Sequence, residues 1–246
     1  MDPKLAKFVD LAMSLSASGR VDALHTHLVD LTVALNDVSE NWVMQVFNSL
    51  TKSLLSEFFL LRTAFDDTRA DGSLVAWRAR NLLEISVWCI YCSQDRENAR
   101  RLFEDAGRDA REIIGGFKQW GVIHNMPTDW MDYLKAADEN LTRQAAAVGI
   151  SSLDGSYKRV SAAAKHCGLE NQFRTLYGYL SKFVHPTAMQ ILGQSDAATV
   201  TTQKDLFFSQ GCMFFAGGFS AIEDRVGKGW ASVASVLAKS AGSVRT

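Results

Sequence analysis

The sequence predicts an all-α protein, a helical bundle of about nine to ten helices. Three observations carry that expectation. Only Pro3, Pro127 and Pro186 interrupt 246 residues, so little in the chain breaks helices. Nearly every long segment spaces its apolar residues at three and four rather than at two. The composition, 47% hydrophobic and 22% charged, belongs to an ordinary globular chain with a sizeable core and excludes disordered and collagen-like classes.

The helices are expected in this order. Asp2 before Pro3 is a cap with proline in the first turn, opening a helix that runs to about Ala17 and closes at Gly19. A second spans Val21 to Asn36. Asp37-Val-Ser-Glu40 resembles a capping box. It is followed by a long helix to about Thr68, with Val43, Phe47, Leu50, Leu54, Leu61 and Phe65 on one stripe and Glu57 within that stripe. The next helix starts near Ser73 and is hydrophobic almost all round from Leu82 to Cys92, as suits the centre of a bundle. From Asp95 to Phe117 the charges of Arg100, Arg101, Glu104, Asp105, Arg108, Asp109, Arg111 and Glu112 alternate in sign, which reads as a solvated helix laced with weak ion pairs and closed by Gly115-Gly116. A connector through Gly121, His124 and Pro127 leads to a helix over Thr128 to Val148. Gly149 to Gly155 is the best candidate hinge. Helices then follow at about Tyr157 to Cys167, Glu170 to Val184, Pro186 to Leu192, Gln203 to Val226 and Trp230 to Ser240. The stretch Gly193 to Thr202 reads as a loop with a short extended piece at Thr199-Val-Thr-Thr. These elements are expected to form a single helical domain over 1–246, with N-terminal helices in 1–36 packing on a bundle at 39–226 and a C-terminal helix at 230–240. The Leu82 to Cys92 segment and the Tyr177 to Val184 segment are expected at its centre.

Bulk charge narrows the partners. With 26 basic and 27 acidic side chains the formal net charge is −1, so no overall field steers the chain to polyanions and any nucleic-acid site must be local. The first twenty residues read as an amphipathic helix rather than a signal peptide. The longest uncharged apolar run, Leu206 to Ile222, falls short of the roughly 20 residues a spanning helix needs, so no membrane partner is expected. Cys89, Cys92, Cys167 and Cys212 lack the spacing of a disulfide framework and suit reduced thiols in a cytoplasm.

Within Arg80 to Asp95, RNLLEISVWCIYCSQD, the sequence offers two pairs of interest. Cys89 and Cys92 form Cys-x-x-Cys, but they stand one turn apart in mid-helix rather than after a strand, where burial keeps both thiols neutral. A zinc site joining them to His166 and Cys167 would need adjacent residues of a helix, about 100° apart, to reach one ion. The charges are more informative. Arg80 and Glu84 share one face of an apolar helix, and a buried carboxylate without a partner costs several kcal/mol. Arginine before glutamate is the less favourable order for an intrahelical pair, so a partner is sought elsewhere.

Leu176 to Ala188, LYGYLSKFVHPTA, supplies one. Tyr177, Ser181 and His185 recur every four residues on one stripe, and Pro186 forces the helix to break at His185. Two readings stay open. In one, His185 satisfies last-turn carbonyls and Ser181 bonds back to its own helix. In the other, Arg80, Glu84, Tyr177, Ser181 and His185 converge as one polar cluster in which a histidine exchanges protons near neutral pH.

Arg80-Asn-Leu-Leu-Glu84 in an apolar helix, followed about a hundred residues later by Tyr177-x-x-x-Ser181-x-x-x-His185-Pro186, resembles a family of uncharacterised bacterial all-helical proteins known only as a domain of unknown function. The resemblance covers most of Ser39 to Val226. Proteins of this type are distantly similar to the HEPN superfamily of helical domains. That superfamily includes metal-independent ribonucleases of toxin and phage-defence systems, whose active site pairs an arginine with a histidine after four to six residues, contributed by two subunits. The resemblance implies an RNA- or nucleotide-directed activity with His185, Glu84 and Arg80 as the catalytic group and Ser181 and Tyr177 as binding residues. Arg20 to His25, Arg20 to His27 and Arg159 to His166 meet that spacing, but Val21 and Val160 stand where the superfamily has a polar residue. Arg80-Asn81 has the right start, with Glu84 and Ile85 where the histidine would fall.

Other patterns point less far. Asp22, His25, His27 and Asp30 do not converge on one helix face, so no metal is expected there. No glycine stretch has phosphate-loop spacing, and Glu57 with Glu84 lacks the Glu-x-x-His repeats of di-iron bundles. No cofactor is called for. Phe207, Phe208, Phe214, Phe215 and Phe219 suit a core or an oligomer interface. The long amphipathic helix and the Phe-rich helix make a homodimer a natural expectation. Two functions from different classes follow: an RNA- or nucleotide-directed enzyme, or a non-catalytic interaction or regulatory protein in which the same residues form a buried structural network.

Overall fold

The computed structural model describes residues 42–185, 187, 188, 191 and 196–226. Seven helices form among them and no strand does. They are α1 (Trp42–Asp66), α2 (Gly72–Gln94), α3 (Arg96–Ile123), α4 (Thr128–Ala147), α5 (Val160–His166), α6 (Glu170–Val184) and α7 (Ala197–Val226). The all-α class stands, and of the nine to ten helices expected seven are present among the described residues. The helices expected at 2–17, 21–36 and 230–240 lie outside the described residues, as does most of the one expected from Pro186 to Leu192. These elements divide into two compact units, one from the described parts of Met1–Arg96 and Val160–Thr246, the other Glu97–Arg159.

In the first unit α2 is the centre, packed against α1, α5, α6 and α7. Its start is set by Asp71, whose carboxylate accepts the N–H groups of Ser73 at 3.0 Å and Leu74 at 3.2 Å, satisfying two of the orphan donors of a first turn. Leu82, Leu83, Val87, Cys89 and Cys92 are then buried, as the all-round apolar pattern predicts. The α1 stripe is buried at Phe47, Leu50, Leu54 and Leu61, and Phe65 stacks on Phe208 of α7 at 4.2 Å.

The second central helix is α7 rather than the Tyr177 to Val184 helix. Phe207, Phe214, Phe215, Phe219 and Ile222 are buried along α7, so the Phe-rich run is core, whereas α6 buries only Phe173 and Leu180. The reason is side-chain size. A β-carbon at Gly218 would stand 3.0 Å from the Ser86 Cα and 3.3 Å from Leu54, so glycine there lets α7 lie close to both α1 and α2. The extended piece expected at Thr199 to Thr202 is also overturned, because the Asp196 carboxylate accepts the Thr199 N–H at 2.7 Å and starts α7 before that stretch.

In the second unit α3 and α4 make a hairpin. Contrary to expectation α3 continues through Gly115-Gly116 to Ile123. Each helical glycine costs about 1 kcal/mol, but packing beyond them offsets that: Lys118 reaches Asp138 at 2.8 Å, Phe117 meets Trp130 edge to face, and Gly121 lies under Trp130 and Met131. The alternating charges are not merely solvated. Asp105 is buried, paired with Arg101 at 3.1 Å and Arg108 at 2.7 Å, and accepts the Lys158 N–H at 2.9 Å. Arg100 donates to the carbonyls of Val148 and Gly149, Arg101 to that of Ser156, and Arg111 to Asp138, Asp154 and Thr142. Alternation alone cannot distinguish these ties from surface pairs, because their partners lie far along the chain, on α4 and in the 148–158 connection. Around that connection Ala145, Ile150 and Leu153 close a small core with Phe103 and Leu141.

Two outcomes test this packing by denaturant unfolding. Gly218→Val should lose about 1–3 kcal/mol through overpacking, and a stability equal to wild type would mean that the close approach is not needed. Asp105→Ala should lose about 1–3 kcal/mol, because the Lys158 N–H loses its acceptor and Arg108 keeps only Glu104, and an unchanged midpoint would make the network peripheral.

Candidate functional site

The site is built on α2 and the end of α6. Its hub is Arg80, whose side chain is only 16% exposed. Three acceptors share the guanidinium. Nη1 lies 3.1 Å from His185 Nε2, and Nη2 donates to the Tyr177 hydroxyl. Nε stands 3.3 Å from Glu84 Oε1, an ion pair in which the N–H does not point squarely at the oxygen. The guanidinium also lies over the Tyr177 ring, 4.3 Å from its centroid, adding a cation–π attraction. Tyr177 is held in turn by a stacked contact with Phe173 at 5.2 Å.

Local sequence explains why His185 is there. It caps α6 with φ −99° and ψ 146°, the extended geometry that a following proline imposes. Its N–H still donates to the Ser181 carbonyl at 3.3 Å. The helix therefore stops with the imidazole exposed at its end and one ring nitrogen on Arg80. Because a guanidinium only donates, that contact requires a bare Nε2 and places the proton of the neutral ring on Nδ1.

Four of the five residues singled out in the sequence thus meet: Arg80, Glu84, Tyr177 and His185. Glu84 and His185 are joined through Arg80, and among the described residues no direct hydrogen bond links them. Ser181 shares their stripe but stays outside the network, its buried hydroxyl having no hydrogen-bond partner among the described residues. Burial pushes the Glu84 carboxyl above its ordinary range, and the Arg80 charge pulls it only part of the way back.

Sequence reasoning missed a second network beside the first. Glu57 of α1 accepts from Arg78 Nη1 and from Asn81 Nδ2, each at 3.1 Å. The signal was available: Glu57 is an acid inside an apolar stripe, so a donor on the facing helix was required. The thiols behave as their mid-helix position predicts. All four cysteines are free, Cys89 and Cys92 are buried, and burial, with Cys167 nearby, pushes the Cys92 thiol up to about 12. Burial likewise raises Cys89 well above its ordinary value. His166 packs edge to face on Tyr91 at 5.2 Å, and no group of three His, Cys, Asp or Glu side chains is arranged to hold a metal among the described residues. Asp22, His25, His27 and Asp30, with Arg20, lie outside them. No helix among the described residues is long and apolar enough to cross a membrane.

The class is therefore an all-helical protein whose central helix carries a shielded arginine onto a histidine at a broken helix end. The chain belongs to DUF5677, a family of unknown function whose model matches residues 41–197, a span that holds every residue of the site. No curated protein and no solved structure matches the chain.

The raised Glu84 carboxyl gives a pH prediction with a definite sign. A folded-state value above the unfolded one means that the native state holds the proton more tightly, so stability from this group is present at low pH and lost as pH rises through the raised value. Melting temperatures of wild type and Glu84→Gln, followed from about pH 3 to about pH 7, should diverge in favour of the glutamine variant as pH rises. A difference independent of pH would rule out this role for Glu84.

Proposed function

We propose that the Arg80 cluster is a phosphate-directed active site and that the protein is a HEPN-like RNA- or nucleotide-directed enzyme of the kind used in defence or toxin systems. The observation that carries this reading is the Arg80–His185 contact, an arginine held against an exposed imidazole across 105 residues of sequence. The HEPN superfamily draws such a pair from one short motif, whereas the pair here comes from two helices.

The chemistry follows from acceptor strength. A phosphate oxygen is a better acceptor for guanidinium than a neutral imidazole, so an incoming phosphodiester draws Nη1 from His185 and leaves Nε2 as a free base. His185 then takes the proton of an attacking hydroxyl, such as a ribose 2′-OH. The new O–P bond forms as the bond to the leaving oxygen breaks, and that oxygen takes a proton from water. Arg80 offsets charge on the phosphoryl oxygens, and Glu84 and Tyr177 orient the guanidinium.

A second reading has its own support. Arg80 is mostly shielded and all three of its nitrogens already face acceptors, which suits a structural tie in a non-catalytic interaction or regulatory protein. His185→Ala separates the two. With full-length protein and single-stranded RNA, the enzyme reading expects a loss of cleavage of about 10²-fold or more with the melting temperature nearly unchanged. A fall in melting temperature, with no cleavage by wild type to lose, supports the structural reading.

A further inference from the structure

One large side chain beside the Arg80 site has no part in the phosphate chemistry. Among the described residues of α2 from Gly72 to Ser93 only Trp77 is exposed, at 44%. It precedes Arg80 by three residues, about 4.5 Å along the helix axis and about 60° round it. Helical side chains lean toward the N-terminus of their helix, so the Arg80 guanidinium lies over the turn that carries Trp77. The end of α6 arrives at the same part of α2. Tyr177 meets Arg80, and six residues on Phe183 packs on Phe207 at 4.8 Å, whose ring would stand 3.7 Å from a β-carbon at Gly72. His185, two residues further, therefore comes to Arg80 from the end of α2 that holds Trp77.

The indole is also held in place. The Arg78 guanidinium lies over its ring, 4.6 Å from the centroid. Arg78 is fixed in turn by Glu57 at 3.1 Å, and Asn81 donates to the same carboxylate oxygen. A cation on one face of the ring leaves the other face for a ligand. Both neighbouring acids are engaged, Glu57 by Arg78 and Glu84 by Arg80, so an incoming phosphate meets neither as an unpaired charge.

We infer that Trp77 is the base platform of this site, and that the ligand is an unpaired nucleotide whose base stacks on the open face of the indole while its phosphate meets Arg80. This rests on the phosphate-directed reading of the Arg80 cluster and gives it a substrate class. Stacking needs a base with a bare face, which single strands and free nucleotides have and a duplex interior lacks. It accepts any base, because every base has a π-face. The Glu57, Arg78 and Asn81 network then holds the platform.

A cycle that removes the indole and the base in turn tests this. Full-length wild type, Trp77→Ala and Trp77→Phe are titrated by fluorescence anisotropy with a short labelled single-stranded RNA and with an abasic ribose-phosphate strand of the same length. Trp77→Ala should weaken binding of the base-bearing strand about 5- to 100-fold, as loss of one stacked base does, and leave the abasic strand nearly unaffected. Trp77→Phe should recover most of the loss, because a phenyl ring still stacks. The melting temperature of both variants should stay near that of wild type. Competition by a nucleoside monophosphate against ribose 5-phosphate separates the two sources of the base: a monophosphate that competes as well as the strand assigns the platform to free nucleotides. Equal losses on both strands, or no loss on either, overturn the inference. So does a wild type that binds neither strand nor the monophosphate. Cleavage is read separately. A strand cut in a His185-dependent way, but bound without dependence on Trp77, overturns the platform alone. Binding that depends on Trp77 without any cleavage supports the platform and removes the catalytic half of the proposed function.

Discussion

An arginine in a helix that is apolar nearly all round must find its acceptors on the neighbouring helices, and the first unit is organised around that requirement. Arg80 cannot shed its charge, and α2 itself supplies only Glu84. Its Nη1 and Nη2 meet His185 and Tyr177, which draws the end of α6 against α2. Arg78, two positions earlier and so on a different side of α2, makes the corresponding link to α1 through Glu57. Two arginines thus tie the central helix to a flank each, while glycines on α7 let the most apolar contact of the unit close without polar help.

The second unit applies the same chemistry to a different problem. A two-helix hairpin has little core, and here Ala145, Ile150 and Leu153 form a small one. Guanidinium groups, each with five donors, are suited to holding an irregular connection by its carbonyls, and Arg100 and Arg101 do so. Asp105 can be buried only because two guanidinium groups and a backbone N–H share its charge. The arginine-rich face of α3 is therefore internal cross-linking, and its surplus apolar surface lies on another side.

Chemically, the Arg80 cluster combines two properties that are hard to have together. The arginine is shielded, which strengthens its electrostatics, while the histidine is exposed at a helix end, which leaves it open to a ligand. Burial raises the Glu84 carboxyl, and the Arg80 charge draws it part of the way back.

Much of the molecule was legible in its residues. Periodicity announced the helical class, the buried centre at Leu82 to Cys92 and the α1 stripe, because helix formation and burial depend on neighbours three and four apart. The proline after His185 announced the break there, since its steric effect is local. Arg80 and Glu84 could be singled out because charges in an apolar helix signal an unmet need, and Tyr177 and His185 because they recur every four residues up to the proline. Tertiary structure alone decided how that need was met. It set the bridge through Arg80 in place of a direct Glu84–His185 pair, left Ser181 outside, paired Glu57 with Arg78 and Asn81, and carried α3 past its two glycines. Each of these depends on distances between segments remote in the chain, and on packing gains that outweigh local propensity. Spacing along one helix reports which face a side chain occupies, but not which side chain of another helix it will meet.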